Sequence, residues 1–532
     1  MPDHADAVVI GSRPNGLVAA NTLADAGWDV VVLEAQDTPG GAVRTEELTE
    51  PGFHHDVFSA FYPLAAASPH LRALRLEEHG LRWLRSEAVV AHAFDAERGA
   101  ALYMDVERTA ASVAQFAPQD ADAWRRWAAW WRTAGPPLIA CLTQPFPPVR
   151  PAAWLARRLG AAGLLELGRL GVLPVRRHAQ EEFAGEGAAM LLAGNALHAD
   201  FTPETPGSTI FGWVLVGLGM DVGFPVPEGG AANLARALVR RLEARGGQLR
   251  CGEPAVRIDP RTRTVHTATG ASFTARRAIL ANTSAPELYE RLLPRDAVPE
   301  RVHHDLARFE FDASTIKVDW ALDGPIPWGN EECRRAGTVH VADSLDHLTA
   351  YGSAIQQGRI PDKPFLLLGQ YARFDPSRMP PGKETAWAYA HLPQGAWTPD
   401  VTEPYVAAME DAVEERAPGF KRLIRARHVL TPADMEARNR NLVGGAVNGG
   451  TAQLHQQLVF RPIPGLGRPE TAVEGVYLAS AAIHPGGGVH GAPGHNAARA
   501  ALAAQKAPRR VRTAGTVLTR MVRSRKTDQR SR

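Results

Sequence analysis

The sequence is poor in cysteine and has no long apolar run. Its 3 cysteines (Cys141, Cys251 and Cys333) lie far apart among 532 residues and form no CxxC pair. This spacing excludes a disulfide framework and a zinc cluster, so we predict no metal site and a reducing, cytoplasmic environment. The apolar run at 214–220 is broken by glycines and is far shorter than the roughly 18 residues that cross a bilayer. We expect a protein that is soluble or attached only to a membrane surface.

Net charge is also small. The formal charge is +2 and charged residues make up 22% of the chain, so no global field steers the molecule toward nucleic acid. The amino terminus has no basic region followed by an apolar core, and we expect no secretion signal. What the chain does have is length and 45% hydrophobic content, enough for a large core and two or more domains.

The first 34 residues carry the pattern of a dinucleotide-binding βαβ unit. Residues 7–10 (AVVI) and 30–33 are apolar runs typical of buried parallel strands, and 16–26 has the apolar spacing of a helix. Glu34 ends the second strand, 18 residues after Gly16. A carboxylate at this point can accept hydrogen bonds from both hydroxyls of an adenosine ribose.

The glycine fingerprint between the first strand and the helix is incomplete. The segment GSRPNG has Gly11 and Gly16, but Arg13 stands where the middle glycine is expected, followed by Pro14 and Asn15. That position is normally free of a side chain so that the backbone can approach a pyrophosphate. Arg13 therefore folds away, pairs with a phosphate or obstructs binding, and the sequence leaves all three alternatives open.

A second glycine turn, TPGGAVRT, follows Glu34 and the neighbouring Ala35. The paired Gly40 and Gly41 let the chain pass close to a phosphate or a ribityl chain, and Arg44 can balance negative charge. The first part of the predicted cofactor site therefore contains the fingerprint residues and those of this turn: Gly11, Arg13, Pro14, Asn15, Gly16, Glu34, Ala35, Gly40, Gly41 and Arg44.

A third glycine segment, HPGGGVHG, lies near the carboxyl terminus between a predicted strand and a helix. The amides of Gly487, Gly488 and Val489, with the positive helix end, suit a flavin pyrimidine carbonyl, which gains negative charge on reduction. His484 and His490 flank this loop and are the candidates for proton transfer; the alternative is that they only shape the turn.

These segments together resemble one family. The order GSxPNG, LEAxxxPGGAVRT, PGFHHDVFSAFYP and HPGGGV is similar to phytoene desaturase-like and amine oxidase-like flavoproteins, over nearly all of 5–505. The nearest branch is a bacterial one that also resembles pyridine nucleotide-disulfide oxidoreductase domain protein 2. The resemblance implies FAD rather than NAD, a backbone contact to adenine near Val256 and a site position at Asn282. An ordinary packing role for Val256 stays open.

The implied fold is α/β. It has a discontinuous Rossmann-like FAD-binding domain of the amine oxidase or phytoene desaturase type, with an inserted α+β substrate domain. We assign 1–95, 225–300 and 465–505 to the FAD-binding domain, and 96–224 and 301–464 to the substrate or lid domain.

Two further segments have alternative interpretations. Trp124, Trp127 and Trp131 share one helix face, which is typical of core but also suits an apolar tunnel or a membrane contact. The tail at 506–532 has ten Lys or Arg against Asp528 alone. It can lie on an anionic membrane or stay solvated; nucleic acid is less favoured because no aromatic residue is interleaved.

The function implied is hydride transfer from a small apolar substrate, such as a polyene or lipid, to FAD, with oxygen or a quinone as the electron acceptor. A second hypothesis is oxidation of an amine or a secondary-metabolite intermediate, with counter-charges from Arg44, Lys317 and Asp319. A third is a redox-inactive binding or scaffold protein, for which Arg13 is the main support.

Overall fold

The computed structural model describes residues 3–506, which are organised around two seven-stranded sheets. Within that range no helix is long and apolar enough to cross a bilayer. The basic tail lies outside the described residues except for Lys506, and its membrane contact stays a prediction.

The bounds of the regular elements are as follows. The strands are β1 Asp3–Ile10, β2 Val30–Leu33, β3 Thr45–Glu46, β4 His55–Asp56, β5 Trp83–Leu84, β6 Ala88–Ala93, β7 Gly99–Leu102, β8 Val226–Pro227, β9 Gln248–Arg250, β10 Ala255–Asp259, β11 Thr264–Thr267, β12 Ser272–Ala281, β13 Ser314–Leu322, β14 Ala336–Val341, β15 Leu366–Gln370, β16 Glu384–Leu392, β17 Ile424–Leu430 and β18 Val476–Leu478. The helices are α1 Pro14–Asp25, α2 Pro63–Ala67, α3 Pro69–Arg72, α4 Val106–Ala114, α5 Asp120–Leu142, α6 Val149–Leu170, α7 Val175–Glu182, α8 Glu186–Ala196, α9 Ser208–Val222, α10 Ala232–Ala244, α11 Glu300–Leu306, α12 Glu331–Arg335, α13 Leu345–Gln356, α14 Pro399–Glu414, α15 Phe420–Leu423, α16 Pro432–Arg438 and α17 Ala492–Lys506.

The first sheet contains the predicted βαβ unit. Its order is β10-β11-β12-β1-β2-β9, and β18 also pairs with β12; the strands β9, β2, β1, β12 and β18 are parallel. Helices α1, α10 and α17 cover one face, and a second apolar cluster covers the other. Because both faces are covered, β1 and β2 are apolar throughout their buried length, as the sequence predicts.

The second sheet has the order β17-β13-β16-β15-β14-β6-β7 and is antiparallel except where β14 and β6 pair. One face packs on α14, while α5, α8 and α9 pack near the other face. The predicted α/β fold with an inserted α+β domain is confirmed. The boundary placed at residue 95 falls too late, because β6 precedes it yet pairs with β14 in the second sheet.

The tryptophan face of α5 is core. Trp124, Trp127 and Trp131 are buried, and the last two pack on Trp213 of α9 with ring centres 6.1 and 5.1 Å away. The indole Nε1 of Trp131 donates to Asp221 at 2.8 Å. The core interpretation is confirmed, and the tunnel and membrane alternatives for this face are wrong.

A buried ion pair joins the two halves. Arg378, before β16, donates through Nη1 to Asp56 Oδ2 at 2.7 Å and through Nε to Asp375 Oδ2 at 2.6 Å, and all three side chains are inaccessible. The other oxygen of Asp56 accepts from the Ala231 amide at 2.7 Å and from the Thr45 hydroxyl at 3.0 Å. The second sheet is thereby fixed against the segments that flank the first.

We predict that Arg378→Leu lowers the free energy of unfolding by about 3–5 kcal/mol, because it leaves a buried carboxylate without its partner. Lys383→Met is the matched control: Lys383 pairs with Asp323 at the surface, where a pair contributes about 1 kcal/mol or less. Denaturant unfolding followed by circular dichroism measures both. Equal losses in the two variants would contradict a special role for the buried pair.

Candidate functional site

The turn from β1 to α1 is held by close backbone contacts. Gly11 has φ +91°, and a Cβ on Gly16 would lie 2.1 Å from the Gly11 carbonyl oxygen. Asn282 is buried beneath the turn, and its Nδ2 donates to the carbonyl oxygens of Gly11 and Arg13, both at 3.4 Å. Asn282 therefore supports the turn rather than facing open space.

The amino end of α1 has no cap. The helix begins at Pro14, the Arg13 side chain makes no capping hydrogen bond, and the first turn contains no acidic residue. The amides of Asn15 and Gly16 consequently have no intrahelical acceptor. A helix end of this kind attracts an anionic group through its free amides and its dipole.

Glu34 lies next to this helix end. Its carboxylate is buried; Oε2 accepts from the Ser12 amide at 2.9 Å and from the Ser12 hydroxyl at 2.6 Å, and Oε1 accepts from the Gln36 amide at 3.0 Å. A carboxylate can accept up to about four hydrogen bonds, so capacity remains for a ribose hydroxyl.

The adenine end predicted from the resemblance lies close by. Ala35 is exposed beside Glu34, and the amide of Glu253 donates to the Glu34 carbonyl at 2.8 Å. Val256 follows on β10, with 46% of its surface exposed. The structure thus places Glu253, three residues before Val256, beside Glu34 and leaves the Val256 side chain open, while the contact of Val256 with adenine stays a prediction.

The second glycine turn crosses the first. The Gly40 amide donates to the Ser12 hydroxyl at 3.2 Å, and Gly40 and Gly41 have φ +113° and +58°. A Cβ on Gly41 would lie 2.2 Å from Cγ of Arg13. Glycine is therefore required here so that the turn can pass over the Arg13 side chain.

Arg44 contributes a buried cation to the same place. Its Nη2 donates to the Thr38 carbonyl at 2.9 Å and to the Thr38 hydroxyl at 2.6 Å, whereas Nε is buried without a partner among the described residues. An unpaired buried donor, an uncapped helix end and a glycine cradle fit an anionic diphosphate. The Glu34 carboxylate fits the ribose of the same group.

The carboxyl-terminal glycine loop completes the arrangement. A Cβ on Gly487 would lie 2.9 Å from the Asn448 carbonyl oxygen, and a Cβ on Gly488 (φ +118°) would lie 2.4 Å from Leu64 Cδ1. Val489 has φ +54°, an uncommon conformation for a β-branched residue. The helix that follows meets α1 closely, since a Cβ on Gly494 would lie 1.8 Å from the Asn15 carbonyl oxygen.

The two candidate catalytic histidines are buried. His490 Nε2 lies 3.1 Å from the Gly487 carbonyl oxygen, and Nδ1 accepts from the Ala492 amide at 3.2 Å, so both ring nitrogens bind its own loop. Burial lowers the pKa of His484 and of His490 to about 4. Both rings are neutral at pH 7, and the geometry of His490 is that of a turn-shaping residue.

Two buried charged side chains that the sequence analysis did not single out hold the segment at 447–451, which packs against this loop. The carboxylate of Asp312 accepts from the amides of Val447 at 2.7 Å and Asn448 at 2.8 Å. Arg461 is inaccessible and donates to the Ala481 carbonyl at 2.9 Å and to the Thr451 carbonyl at 2.8 Å. Burial raises the pKa of Asp312 to about 6 and lowers that of Arg461 to about 10. Asp312 belongs to no pattern in the sequence, and the FRPIPG segment around Arg461 does not by itself indicate a buried cation.

Lys317 and Asp319 come together on β13. Lys317 Nζ donates to Asp319 and lies 5.6 Å from the ring centre of Trp387. His55, on β4, places Nδ1 3.5 Å from Asp319 Oδ1, and all three side chains are buried. Burial lowers the pKa of Lys317, an effect that Asp319 partly offsets. Lys317 and Asp319 were only loose candidates from sequence, and His55 was missed although it lies in the PGFHHDVFSAFYP segment.

Aromatic rings pack beside the Lys317–Asp319–His55 group. Phe61 (φ +57°) stacks on Tyr371 with ring centres 5.6 Å apart and lies 6.2 Å from Trp387. Tyr389, opposite Lys317 across the β13–β16 pair, stacks on Trp387 at 5.9 Å. The seam between the two halves therefore contains a packed aromatic cluster beside a buried lysine and carboxylate.

Comparison with known proteins decides the family. The family described as flavin containing amine oxidoreductase matches residues 15–383 of the chain. The chain belongs to this family. It is 29% identical to pyridine nucleotide-disulfide oxidoreductase domain-containing protein 2 of Mus musculus, over 93% of this chain and 92% of that protein. It is 25% identical to a lycopene-forming phytoene desaturase of Pseudescherichia vulneris, over 93% of this chain and 98% of that one.

The fold is shared with solved structures. Cyclohexylamine oxidase from Brevibacterium oxydans superposes with a TM-score of 0.56 at 16% identity, covering 94% of this chain and 98% of that one. The resemblance to phytoene desaturase-like flavoproteins is confirmed. The chain is a flavin-dependent oxidoreductase, and its predicted site residues other than Val256 lie in, or directly against, the three glycine segments and Glu34.

The buried histidines predict that this flavoprotein loses stability in acid. The pKa of an imidazole is near 6.5 in an unfolded chain, and about 4 for His484 and His490 in the folded one. Between those values the unfolded state binds more protons. The contribution of each such histidine to the free energy of unfolding is therefore fully present above about pH 6.5. It falls by about 1.4 kcal/mol per pH unit as the pH is lowered toward 4.

Urea unfolding at several pH values in this window measures the slope. His490→Gln is expected to make the slope shallower by about one proton, whereas His54→Gln removes an exposed histidine and serves as the control. An identical slope for the wild-type chain and His490→Gln would refute the assignment.

Proposed function

We propose that the flavin is FAD and that the enzyme removes a hydride and a proton from an apolar, polyene- or lipid-like substrate to form a double bond. The observation that carries FAD is the meeting, at the amino end of α1, of three parts. These are a buried carboxylate suited to a ribose, an uncapped helix end with glycine turns suited to a diphosphate, and a separate glycine loop suited to a ring system.

Bound FAD supplies the hydride acceptor. The chain supplies position and a water-poor environment. Phe61, Tyr371 and Trp387 pack together as an aromatic wall at the seam; Tyr371 and Trp387 are buried, and Phe61 is the partly exposed ring against which a flat apolar substrate would pack. Lys317 is the buried amine beside that wall. Burial lowers its pKa, and in its neutral form it would accept the proton that leaves the adjacent carbon. Support for an apolar substrate also comes from the similarity to phytoene desaturases over 93% of the chain. Oxygen or a quinone would then accept the electrons.

A second candidate is oxidation of an amine or another polar intermediate. The family description supports it, as does a polar pair formed by His391 on β16 and Asp200 in the loop before α9. Asp200 (φ +62°) has Oδ2 buried without a partner among the described residues, and burial raises its pKa to about 7. His391 Nε2 lies 4.0 Å from Asp200 Oδ1. A substrate with a hydroxyl or amino group would find partners there.

We expect the purified full-length protein to be yellow and to release one FAD per chain, identified by mass spectrometry after denaturation. Anaerobic mixing then separates the candidates: bleaching of the flavin by a carotenoid polyene supports the desaturase, and bleaching by primary or secondary amines supports the amine oxidase. Readmission of air or addition of a quinone identifies the electron acceptor. A colourless protein that takes up no FAD would contradict both and support the scaffold hypothesis.

For Lys317 we predict that the double variant Lys317→Met/Asp319→Asn keeps its FAD but is reduced by substrate roughly 10²- to 10⁴-fold more slowly, the usual contribution of a proton-transfer group. The paired change keeps the buried site neutral. Rapid-mixing absorbance measures the rate, with Lys383→Met as the surface control. An unchanged rate would remove Lys317 from the reaction.

A further inference from the structure

We propose that Arg13 is an ionic ligand of the FAD diphosphate, so that a side-chain cation acts where the fingerprint expects only a glycine backbone. This inference rests on the proposed FAD site and chooses among the three roles that the sequence leaves open for Arg13.

The backbone at Arg13 accommodates a side chain without strain. Its φ of −65° and ψ of 162° lie in the extended region that any residue adopts. The middle position of the fingerprint therefore does not need glycine for conformational reasons in this chain. What glycine would provide is only space, and the side chain of Arg13 fills that space.

The side chain of Arg13 runs into the cradle rather than away from it. A Cβ on Gly41 would lie 2.2 Å from Cγ, 3.0 Å from Cδ and 3.3 Å from Cβ of Arg13. The methylene chain is thus enclosed between the amino end of α1 and the second glycine turn. These are the same two segments whose geometry fits a diphosphate, so a guanidinium at the end of this side chain would lie beside the bound anion. The alternative in which Arg13 folds away is inconsistent with this course.

The guanidinium of Arg13 has no protein partner there. Among residues 3–506 it makes no hydrogen bond and no ion pair, and the nearest carboxylate, Glu34, is already bound by Ser12 and Gln36. Burial lowers the pKa of Arg13 to about 10, which leaves it charged at pH 7. Arg13 is half-buried, so its charge is partly desolvated without a counter-ion, and an anionic ligand would offset that cost.

The surroundings of the guanidinium favour an anion over any other ligand. The uncapped amides at the start of α1 and the unpaired Nε of Arg44 are donors, and a planar guanidinium binds phosphate oxygens in pairs. A neutral ligand would leave several of these donors unmatched. The diphosphate of FAD has the charge and the acceptor oxygens that they require.

The test measures FAD binding by the full-length apoprotein. Quenching of flavin fluorescence reports the binding, at low and at high salt. We expect Arg13→Gln and Arg13→Gly to raise the Kd for FAD by roughly 10- to 100-fold, as for loss of a charge-assisted hydrogen bond. We expect the variants also to depend less on salt than the wild type, since one ionic contact is gone. Arg13→Lys should lie between the wild type and Arg13→Gln, because it keeps the charge but not the paired donors.

Arg359→Gln is the matched control, because it removes one exposed arginine from the second half of the chain and leaves the cradle unchanged. Circular dichroism and the unfolding midpoint of each apoprotein confirm that the variants are folded. Unchanged or tighter FAD binding by folded Arg13→Gly would overturn the proposal, and tighter binding would show that Arg13 obstructs the site. Failure of the wild type itself to bind FAD would overturn the proposed cofactor and this role together.

Discussion

The candidate site depends on the buried ion pair between Asp56 and Arg378. Asp56 belongs to the hairpin that follows the second glycine turn, and Arg378 precedes a central strand of the second sheet. Their contact fixes the position of the Lys317–Asp319–His55 group and the aromatic wall relative to the glycine cradle. Because both charges are inaccessible, separating them would leave each charge buried without its partner, at a high cost in free energy. The relation between the cofactor half and the substrate half is therefore specified by electrostatics as well as by apolar packing.

The cofactor half could be predicted from sequence because its requirements are local. Gly11, Gly16 and Glu34 stand at spacings that a strand-turn-helix-strand unit imposes, and the apolar runs of β1 and β2 show burial on both faces. The incomplete fingerprint at Arg13 was also visible, but its three alternatives differ only in where a flexible side chain points. That direction depends on Gly41, which a spacing argument does not place against Arg13.

The existence of the substrate half could be predicted from sequence, but the contacts between its residues could not. On β13 the side chains alternate, so that Val318 enters the core and Lys317 and Asp319 face the seam, yet the strand alone does not tell which partners they meet. His55 reaches Asp319 from 264 positions earlier, and Asp56 reaches Arg378 across 322. Contacts of this length follow from the folded arrangement of both sheets, which is why Asp312 and Arg461 also left no sequence signal.

The strand β18 has a consequence for how the protein is made. It adds to the first sheet beside β12 only after residue 476 has been synthesised, and the third glycine segment and α17 follow it. A growing chain therefore holds the Glu34 end of the cradle for most of its synthesis while the other end is still missing. The site can be enclosed only after this late segment has joined the sheet, so retention of a bound cofactor would report that β18 and the loop after it have reached their places.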